Sequence, residues 1–245
     1  MESENMVRHG LLSYVAGVGT LIASAAGAEW HGQLILASDY LYRGYSKSRG
    51  NPVVQARIDY QAPGPWFGGL GLSKVGFDDG WYRDRAEIEL KPYLGWRQAL
   101  GSGWQAELSA AGYVYDGKLF GKRADYAEIF GALHYRDWLS FSASVAPDAY
   151  RRGADVLNYA VNYRRDLLDN LQFSAGLGYH QAEQLLAADY FYWNAGISWF
   201  PVSYLALDLR YADVNLDDEW RFHRSQGFYP RLQDNKFLFS LSIGF

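Results

Sequence analysis

The sequence predicts an all-β protein: a transmembrane, antiparallel, up-and-down β-barrel of about twelve strands. Three observations predict this fold. Apolar and polar residues alternate in segments of about ten residues, the length of a tilted strand that crosses a bilayer. Long and short connections between these segments alternate as well. Finally, 17% of the 245 residues are aromatic, and tyrosine and tryptophan are enriched where a protein meets both lipid and water.

The first 28 residues are predicted to be a cleaved signal peptide, so that residues 29–245 form the barrel. A basic start precedes an apolar run of small residues, which ends in the cleavage pattern Ala-Gly-Ala at 26–28. A single anchoring helix is the alternative for this run. Acidic residues close to Met1 are unusual in such a leader, which makes Met6 a second candidate start. Together with the barrel pattern, the leader predicts export to the bacterial outer membrane.

Twelve segments fit the strand template. The segment 86–97 shows it most clearly, because Ile88 and Leu90 alternate with Glu87 and Glu89. Segments 66–75 and 138–146 are the least regular, the first rich in glycine and the second carrying a row of serines. In chain order, the predicted strands are 33–42, 53–62, 66–75, 86–97, 104–115, 125–135, 138–146, 156–165, 171–181, 190–200, 204–214 and 236–245.

The connections support this count, because barrels of this kind have long loops outside the cell and short turns in the periplasm. An even number of strands places both chain ends on the periplasmic side. The longest connection, 215–235, either folds inward to constrict a pore or stays outside as a contact surface, and it carries Trp220, Phe222, Phe228 and Tyr229. The other long connections are 43–52, 76–85, 116–124, 147–155 and 182–189; the shorter ones are 63–65, 99–103, 136–137, 166–170 and 201–203.

The final segment, 236–245, alternates strictly and ends on Phe245. Closure of the barrel requires it to pair with segment 33–42. A chain that ends on an outward aromatic resembles outer-membrane proteins with a C-terminal assembly signal, which implies recognition of Phe245 by the barrel-assembly machinery. We expect Phe245 to face lipid at the periplasmic rim. Two aromatic girdles are predicted from Tyr42, Tyr60, Trp66, Trp96, Trp104, Tyr135, Tyr163, Tyr179, Trp199 and Tyr211.

Charged side chains in the strands are predicted to point into the barrel, because a charge on the lipid side costs roughly 2–4 kcal/mol near the midplane. Two interpretations stay open. The charges either line a wet path and set ion selectivity, or pair across strands into a closed plug. Lys91 and Glu107 are expected to form one pair. The inward acids are Asp39, Asp59, Glu87, Glu89, Glu107, Glu128 and Asp208, and the inward bases are Arg57, Lys91, Arg97, Arg164 and Arg210.

One stretch resembles a known family. Residues 38–46 (SDYLYRGYS), followed by Pro52, Gln55 and residues 58–60 (IDY), resemble the opening of the TorF family of proposed porins. Residues 124–128 (ADYAE) and 133–135 (LHY) are similar to that family too. The resemblance implies an outer-membrane barrel that acts as a pore. It implies no particular solute and no functional residues.

Enzymatic and metal functions receive less support. A lipid hydrolase needs serine, histidine and an orienting group within hydrogen-bond reach. His134 precedes a row of serines that starts at Ser140, but it faces the lumen by the strand count, so no catalytic residue is predicted. The scattered histidines predict no metal site. The acidic residues 217–219 lack the ordered spacing of a calcium loop.

The predicted function is therefore a narrow outer-membrane channel for passive passage of small polar or ionic solutes, without a cofactor. The expected partners are outer-membrane lipid and lipopolysaccharide, the barrel-assembly machinery, and small solutes or ions. Without the leader, 22 basic and 25 acidic residues remain, and this balance gives no support for nucleic-acid binding. The alternatives are an outer-membrane lipid hydrolase and a closed structural or adhesive barrel that acts through its loops.

Overall fold

A computed structural model of the chain describes residues 28–78, 82–216, 227–232 and 235–245. Twelve strands form one closed barrel in which every strand pairs antiparallel with its two neighbours. The prediction of a closed antiparallel barrel of twelve strands is confirmed. The predicted leader (apart from Ala28), the acidic residues 217–219, Trp220 and Phe222 lie outside the described residues.

The strands in chain order are β1 (Glu29–Ala37), β2 (Leu41–Tyr42), β3 (Tyr45–Ser46), β4 (Val53–Gln61), β5 (Trp66–Lys74), β6 (Ile88–Gly101), β7 (Trp104–Tyr115), β8 (Tyr126–Tyr135), β9 (Leu139–Ala146), β10 (Val156–Leu168), β11 (Leu171–Gln181), β12 (Tyr190–Val202), β13 (Leu205–Val214), β14 (Arg231–Leu232) and β15 (Lys236–Gly244). All but β2, β3 and β14 belong to the barrel, and those three form a small separate sheet. A 3₁₀ turn, Ala149–Arg151, and a one-turn helix, Glu183–Leu186, lie in two of the loops. Within the described part of the chain, no helix has the length and apolar character that a helical membrane span requires.

The barrel closes between its first and last strands. Residues of β1 and β15 pair in register, with Leu34 opposite Ile243, as the sequence predicted. Beyond β15, the Gly32 and Phe245 backbones exchange two hydrogen bonds of 2.7 and 2.9 Å. A side chain at Gly32 would come within 2.1 Å of the Phe245 ring, so a larger residue here would have to displace that ring. Phe245 itself is 82% exposed on the outer surface.

Most strand boundaries lie within two residues of the sequence pattern, but β6 (88–101 against 86–97), β10 (156–168 against 156–165) and the first strand differ more. β1 begins at Glu29 and ends at Ala37, whereas the pattern predicted 33–42. After Ala37 the chain turns into the barrel instead of continuing along its wall. Tyr42 is therefore 8% exposed, and the prediction that it belongs to an outer girdle is wrong. The alternation that suggested a longer strand belongs to β2, which lies inside.

The outer surface of the wall is largely apolar, with exposed residues such as Leu94 and Leu108. A continuous apolar surface of this kind is suited to lipid. Aromatic pairs flank it at both ends. At the end with short turns, ring centroids lie 4.8 Å apart for Trp30 and Tyr60 and 4.9 Å apart for Trp104 and Tyr135. At the end with long loops, they lie 4.8 Å apart for Tyr179 and Phe191 and 5.1 Å apart for Trp193 and Tyr211.

Aromatic side chains from several loops close the loop end of the barrel. Tyr150, in the 3₁₀ turn, stacks on Phe228 with ring centroids 4.1 Å apart, and Phe77 packs against both rings. Arg152 lies beside this cluster and donates a hydrogen bond of 2.7 Å to the Leu119 carbonyl. Burial lowers the pKa of the Arg152 guanidinium. We call the cluster of Phe77, Tyr150 and Phe228 the aromatic cap. The described part of the longest connection thus folds over the mouth of the barrel.

Candidate functional site: the lumen and the hairpin inside it

The lumen is occupied at its loop end by residues 38–48, which we call the inward hairpin. Within it β2 pairs with β3, and Arg43 and Gly44 form a two-residue turn with φ values of 49° and 84°. A side chain at Gly44 would come within 2.4 Å of Val214 on the barrel wall. The hairpin tip therefore approaches the wall closely, and glycine allows it.

Backbone contacts hold both ends of the hairpin. The Ser38 amide donates to the Phe239 carbonyl at 2.9 Å, and the Gly76 amide donates to the Lys47 carbonyl at 2.7 Å. At the tip, the Tyr190 hydroxyl donates to the Arg43 carbonyl at 2.8 Å. The hairpin is thus attached to the wall at its start and tip, and to the loop after β5 at its end.

The first charged contact of the hairpin joins Lys47 to Glu89 of β6. The Lys47 Nζ lies 2.5 Å from Glu89 Oε2, and both side chains are almost completely buried. Two tyrosine hydroxyls donate to the same carboxylate, Tyr40 at 2.8 Å and Tyr115 at 2.7 Å. Glu89 therefore accepts three hydrogen bonds, which compensate its charge inside the barrel.

The second charged contact joins Arg43 at the hairpin tip to Glu128 of β8. Arg43 Nη2 lies 2.5 Å from Glu128 Oε1. The Tyr42 hydroxyl donates to the same carboxylate at 2.9 Å and the Ser144 hydroxyl at 2.7 Å. This carboxylate is also surrounded by donors, one of which comes from the neighbouring strand β9.

A third contact lies at the root of the hairpin. Lys236 of β15 donates to Asp39 at 2.8 Å. The Ser46 and Ser48 hydroxyls also donate to Asp39, Ser48 at 2.6 Å. Asp39 therefore links the hairpin to the last strand of the barrel and also stabilises the fold of the hairpin itself.

The turn end of the lumen contains charge pairs within the wall. Arg97 of β6 donates from both Nε and Nη2 to Glu107 of β7, at 3.0 and 2.8 Å. Arg57 and Asp59 of β4 lie 2.8 Å apart. Arg210 lies 3.0 Å from Asp208 on its own strand and also donates to Asn194 and Ser174 on other strands.

The predicted pair of Lys91 with Glu107 is wrong. The register of β6 and β7 places Arg97 opposite Glu107. The Lys91 Nζ lies instead 5.0 Å from the Tyr113 ring and 5.8 Å from the Phe130 ring, near the loop end.

Two other predicted residues lie at the rims. Glu87 precedes β6, is 67% exposed and approaches Arg85 at 3.9 Å, so its prediction as a lumen residue is wrong. Strand β6 begins only at Ile88, which leaves Glu87 in the loop. Arg164 lies at the turn end, where its Nε donates to the Asp137 carbonyl. The remaining predicted charges lie inside the barrel, in the contacts given above.

His134 and Ser140 meet inside the lumen, with 2.9 Å between Nδ1 and Oγ. The other ring nitrogen of His134 lies 3.8 Å from Glu107, which Arg97 already engages. The pair faces the interior, whereas hydrolysis of membrane lipid needs the outer surface. Among the described residues, no three histidine, aspartate or glutamate side chains form a group that could hold a metal ion.

Cavities lie both beside the hairpin and at the turn end of the barrel. A cavity of about 80 Å³ lies between it and the wall, lined by Asp39, Tyr40 and Arg210 among others. At the turn end, a larger open cavity of about 450 Å³ is lined by Trp138, Arg164 and their neighbours. The first cavity belongs to the lumen, whereas the second lies at the rim, where the exposed Trp138 and Arg165 also line it.

The sequence analysis missed the hairpin contacts of Arg43, Lys47 and Lys236. The first two lie in a segment assigned to an external loop, and Lys236 begins a strand. One signal was present: an Arg-Gly pair between Tyr42 and Tyr45 fits a two-residue hairpin turn. That signal predicts a hairpin but does not say that it folds inward.

Comparisons with known proteins agree with the fold. Residues 23–245 match the model of a family, Gcw_chp, described as a bacterial protein of unknown function. A solved KdgM porin aligns with 88% of this chain and 99% of its own, at 9% identity and a TM-score of 0.52. A second solved structure, described by the words "Unveiling the Mechanism Behind the in-meso Crystallization of Membrane Proteins", aligns with 88% of this chain and 83% of its own, at 12% identity and a TM-score of 0.55. The sequence has no match among curated proteins. At these identities the likeness shows the fold.

Proposed function

We propose that this chain, which belongs to the Gcw_chp family of bacterial proteins of unknown function, is an outer-membrane channel for passive passage of small polar or ionic solutes. The observation that carries the proposal is a lumen lined with charged side chains inside a wall whose outer face is apolar. A barrel that only needed a stable interior could fill it with apolar side chains at lower cost, because buried ion pairs are weak sources of stability.

The described arrangement corresponds to the closed state of such a channel. The inward hairpin fills the loop end, and the aromatic cap covers it. Passage therefore requires the hairpin to leave its contacts with Glu89 and Glu128. Because the closed ladder of the barrel does not include β2 and β3, the wall can stay intact while the hairpin moves.

Several features predicted from the sequence belong to this proposal. They are export with a cleaved leader, location in the bacterial outer membrane, both chain ends in the periplasm, and contact with lipid and lipopolysaccharide. The exposed Phe245 at the seam is the residue that the barrel-assembly machinery would recognise. The resemblance to the TorF family and the likeness of the fold to a solved KdgM porin support a pore.

The direct test is conductance of the refolded chain in a planar bilayer. We expect discrete channel events that become more frequent when the hairpin is loosened. A cysteine at Asp208, on the lumen face of β13, should react with a water-soluble thiol reagent, whereas one at the outward Leu209 should not; the natural chain has no cysteine. Silence of the wild type and of every hairpin variant would rule out a channel.

A closed barrel that acts through its loops is the second candidate. The aromatic cap favours it, because a buried cluster of loop residues such as Tyr150 and Phe228 gives the loops a fixed shape. The same conductance experiment separates the two functions. A variant without the hairpin that folds but conducts no ions supports the closed barrel.

A further inference from the structure

The Lys47 ammonium lies in a pocket built from aromatic rings and one carboxylate. Its Nζ is 4.2 Å from the centre of the Tyr42 ring, 4.7 Å from Tyr113 and 5.1 Å from Tyr40, in addition to its contact with Glu89. A cation within about 6 Å of a ring is attracted by the negative face of the ring, and groups of aromatic rings recognise ammonium ligands in this way.

The two halves of this pocket come from different parts of the chain. Glu89 of β6 and Tyr113 and Tyr115 of β7 belong to the wall, whereas Tyr40 and Tyr42 arrive with the hairpin. Removal of the hairpin would leave on the wall a carboxylate with two neighbouring tyrosines. Such a surface faces the lumen and carries the groups that bind an ammonium ion.

A second ammonium lies on the same part of the wall. The Lys91 Nζ, which comes from β6 itself, lies 5.0 Å from the Tyr113 ring. Tyr113 therefore contacts ammonium groups from two different elements, the hairpin and the wall. By contrast, Lys236 also binds a buried carboxylate, Asp39, but within the described residues no aromatic ring lies near its ammonium.

We propose that the pocket around Glu89, Tyr113 and Tyr115 is the solute-binding site of the open channel, and that Lys47 occupies it as a tethered cation in the closed state. The solute class is a primary ammonium ion on a short apolar stem. Its ammonium replaces that of Lys47 at Glu89, and its stem lies against the tyrosine rings. This inference rests on the proposed channel function, since it names the solute that competes with the hairpin.

The test replaces Lys47 and offers the missing group as a free ion. Refolded Lys47→Ala is melted in n-butylammonium chloride, in sodium chloride of equal ionic strength, and in sodium chloride with neutral n-butanol. A ligand that binds only the folded chain raises the melting temperature with its concentration. We expect a rise of roughly 3 °C or more for Lys47→Ala at saturating butylammonium, and none for the wild type.

Two variants complete the experiment. Lys236→Ala, which loses an ammonium outside any aromatic pocket, should show no difference between the two salts. Lys47→Ala combined with Glu89→Gln keeps the rings but removes the carboxylate, and should lose most of the response. An equal effect of butanol or sodium, or an equal response of Lys236→Ala, overturns the proposal. If Lys47→Ala does not refold in sodium chloride, recovery of folded barrel in butylammonium supports the proposal, and equal failure in both salts overturns it.

The melting experiment does not depend on passage of ions, so its failure differs from failure of the channel. If the wild type does not conduct but butylammonium stabilises Lys47→Ala, the channel function is refuted and the ammonium site is supported. If the wild type conducts but Lys47→Ala does not respond to butylammonium, the channel function is supported and the ammonium site is refuted. If both hold, butylammonium should also increase the open time of the wild-type channel at millimolar concentration.

Discussion

The two halves of the lumen are built from the same kinds of residue but pair them differently. At the turn end, Arg97 and Glu107 lie on neighbouring strands, ten positions apart in sequence. At the loop end, Lys47 and Arg43 come from the hairpin and reach carboxylates 42 and 85 positions away. Pairs within the wall can change only if the barrel itself changes. Pairs between hairpin and wall can separate while the barrel stays closed, so we assign gating to the loop end.

The largest effect is expected from removing the hairpin. Ala37 and Val53 are register partners at the ends of β1 and β4, so a two-residue Asn-Gly turn can replace residues 38–52. The barrel should still fold, because none of its strands is shortened. Single-channel conductance should rise several-fold over the wild type, since the loop end of the lumen no longer contains the hairpin.

Circular dichroism and the shift in gel mobility on heating report whether this variant has folded. A folded variant with the wild-type conductance would show that the hairpin does not limit passage. It would also remove the distinction between the two halves of the lumen.

The next change, Glu128→Gln, keeps the hairpin and is expected to act on opening alone. This change leaves the Arg43 guanidinium without its charged partner, and loss of one member of a buried pair costs about 3–5 kcal/mol when both groups are dry. Here part of that cost favours opening, because the hairpin can move out and take the unpaired Arg43 with it. We therefore expect a higher open probability, by roughly tenfold if about 1.4 kcal/mol of the cost appears as opening, measured from single-channel records.

Glu107→Gln is the matched control for this prediction. It removes a carboxylate of the same type and burial from Arg97 at the turn end. The free energy of unfolding should fall, while open probability stays at the wild-type value. Equal open probabilities for the two variants would contradict the assignment of gating to one half.

The smallest effect is expected from Glu87→Gln. Glu87 is exposed at the rim and its contact with Arg85 is long, at 3.9 Å. Exposed pairs of this kind contribute little. Stability should change by no more than about 0.5 kcal/mol and conductance should be unchanged. A marked change in ion selectivity would show that Glu87 contributes to the ion path, contrary to its exposed position at the rim.

The barrel could be predicted from the sequence because strand period and loop length are local properties. β7 and β11 begin and end where the alternation does. The seam followed from strand count alone, since a closed barrel leaves its first and last strands no other partners. These features depend on residues close in sequence or on the count of strands.

The contents of the lumen could not be predicted in the same way. Apolar and polar residues around Tyr42 alternate on the inward hairpin as they would on an outward strand, so the pattern does not distinguish the two locations. The Lys91–Glu107 error has a different cause. The β6–β7 turn consists of Ser102 and Gly103, both with positive φ, and its ladder is irregular between Ala99 and Gly101. That irregularity shifts the register by one residue, whereas Lys91 lies six residues along β6 from the partner of Glu107, so counting back from the short turn would have excluded the pair.

The attachment of the hairpin also has a consequence for the order of folding. The hairpin follows the first strand, β1, but its partners Glu89 and Glu128 lie on β6 and β8, and Lys236 lies on the last strand. These contacts span up to 197 positions, so the entropy of closing such long loops delays them until the intervening strands are paired. The hairpin therefore docks as a late step, into a lumen that is already formed. A newly assembled barrel passes through an open stage before it first closes.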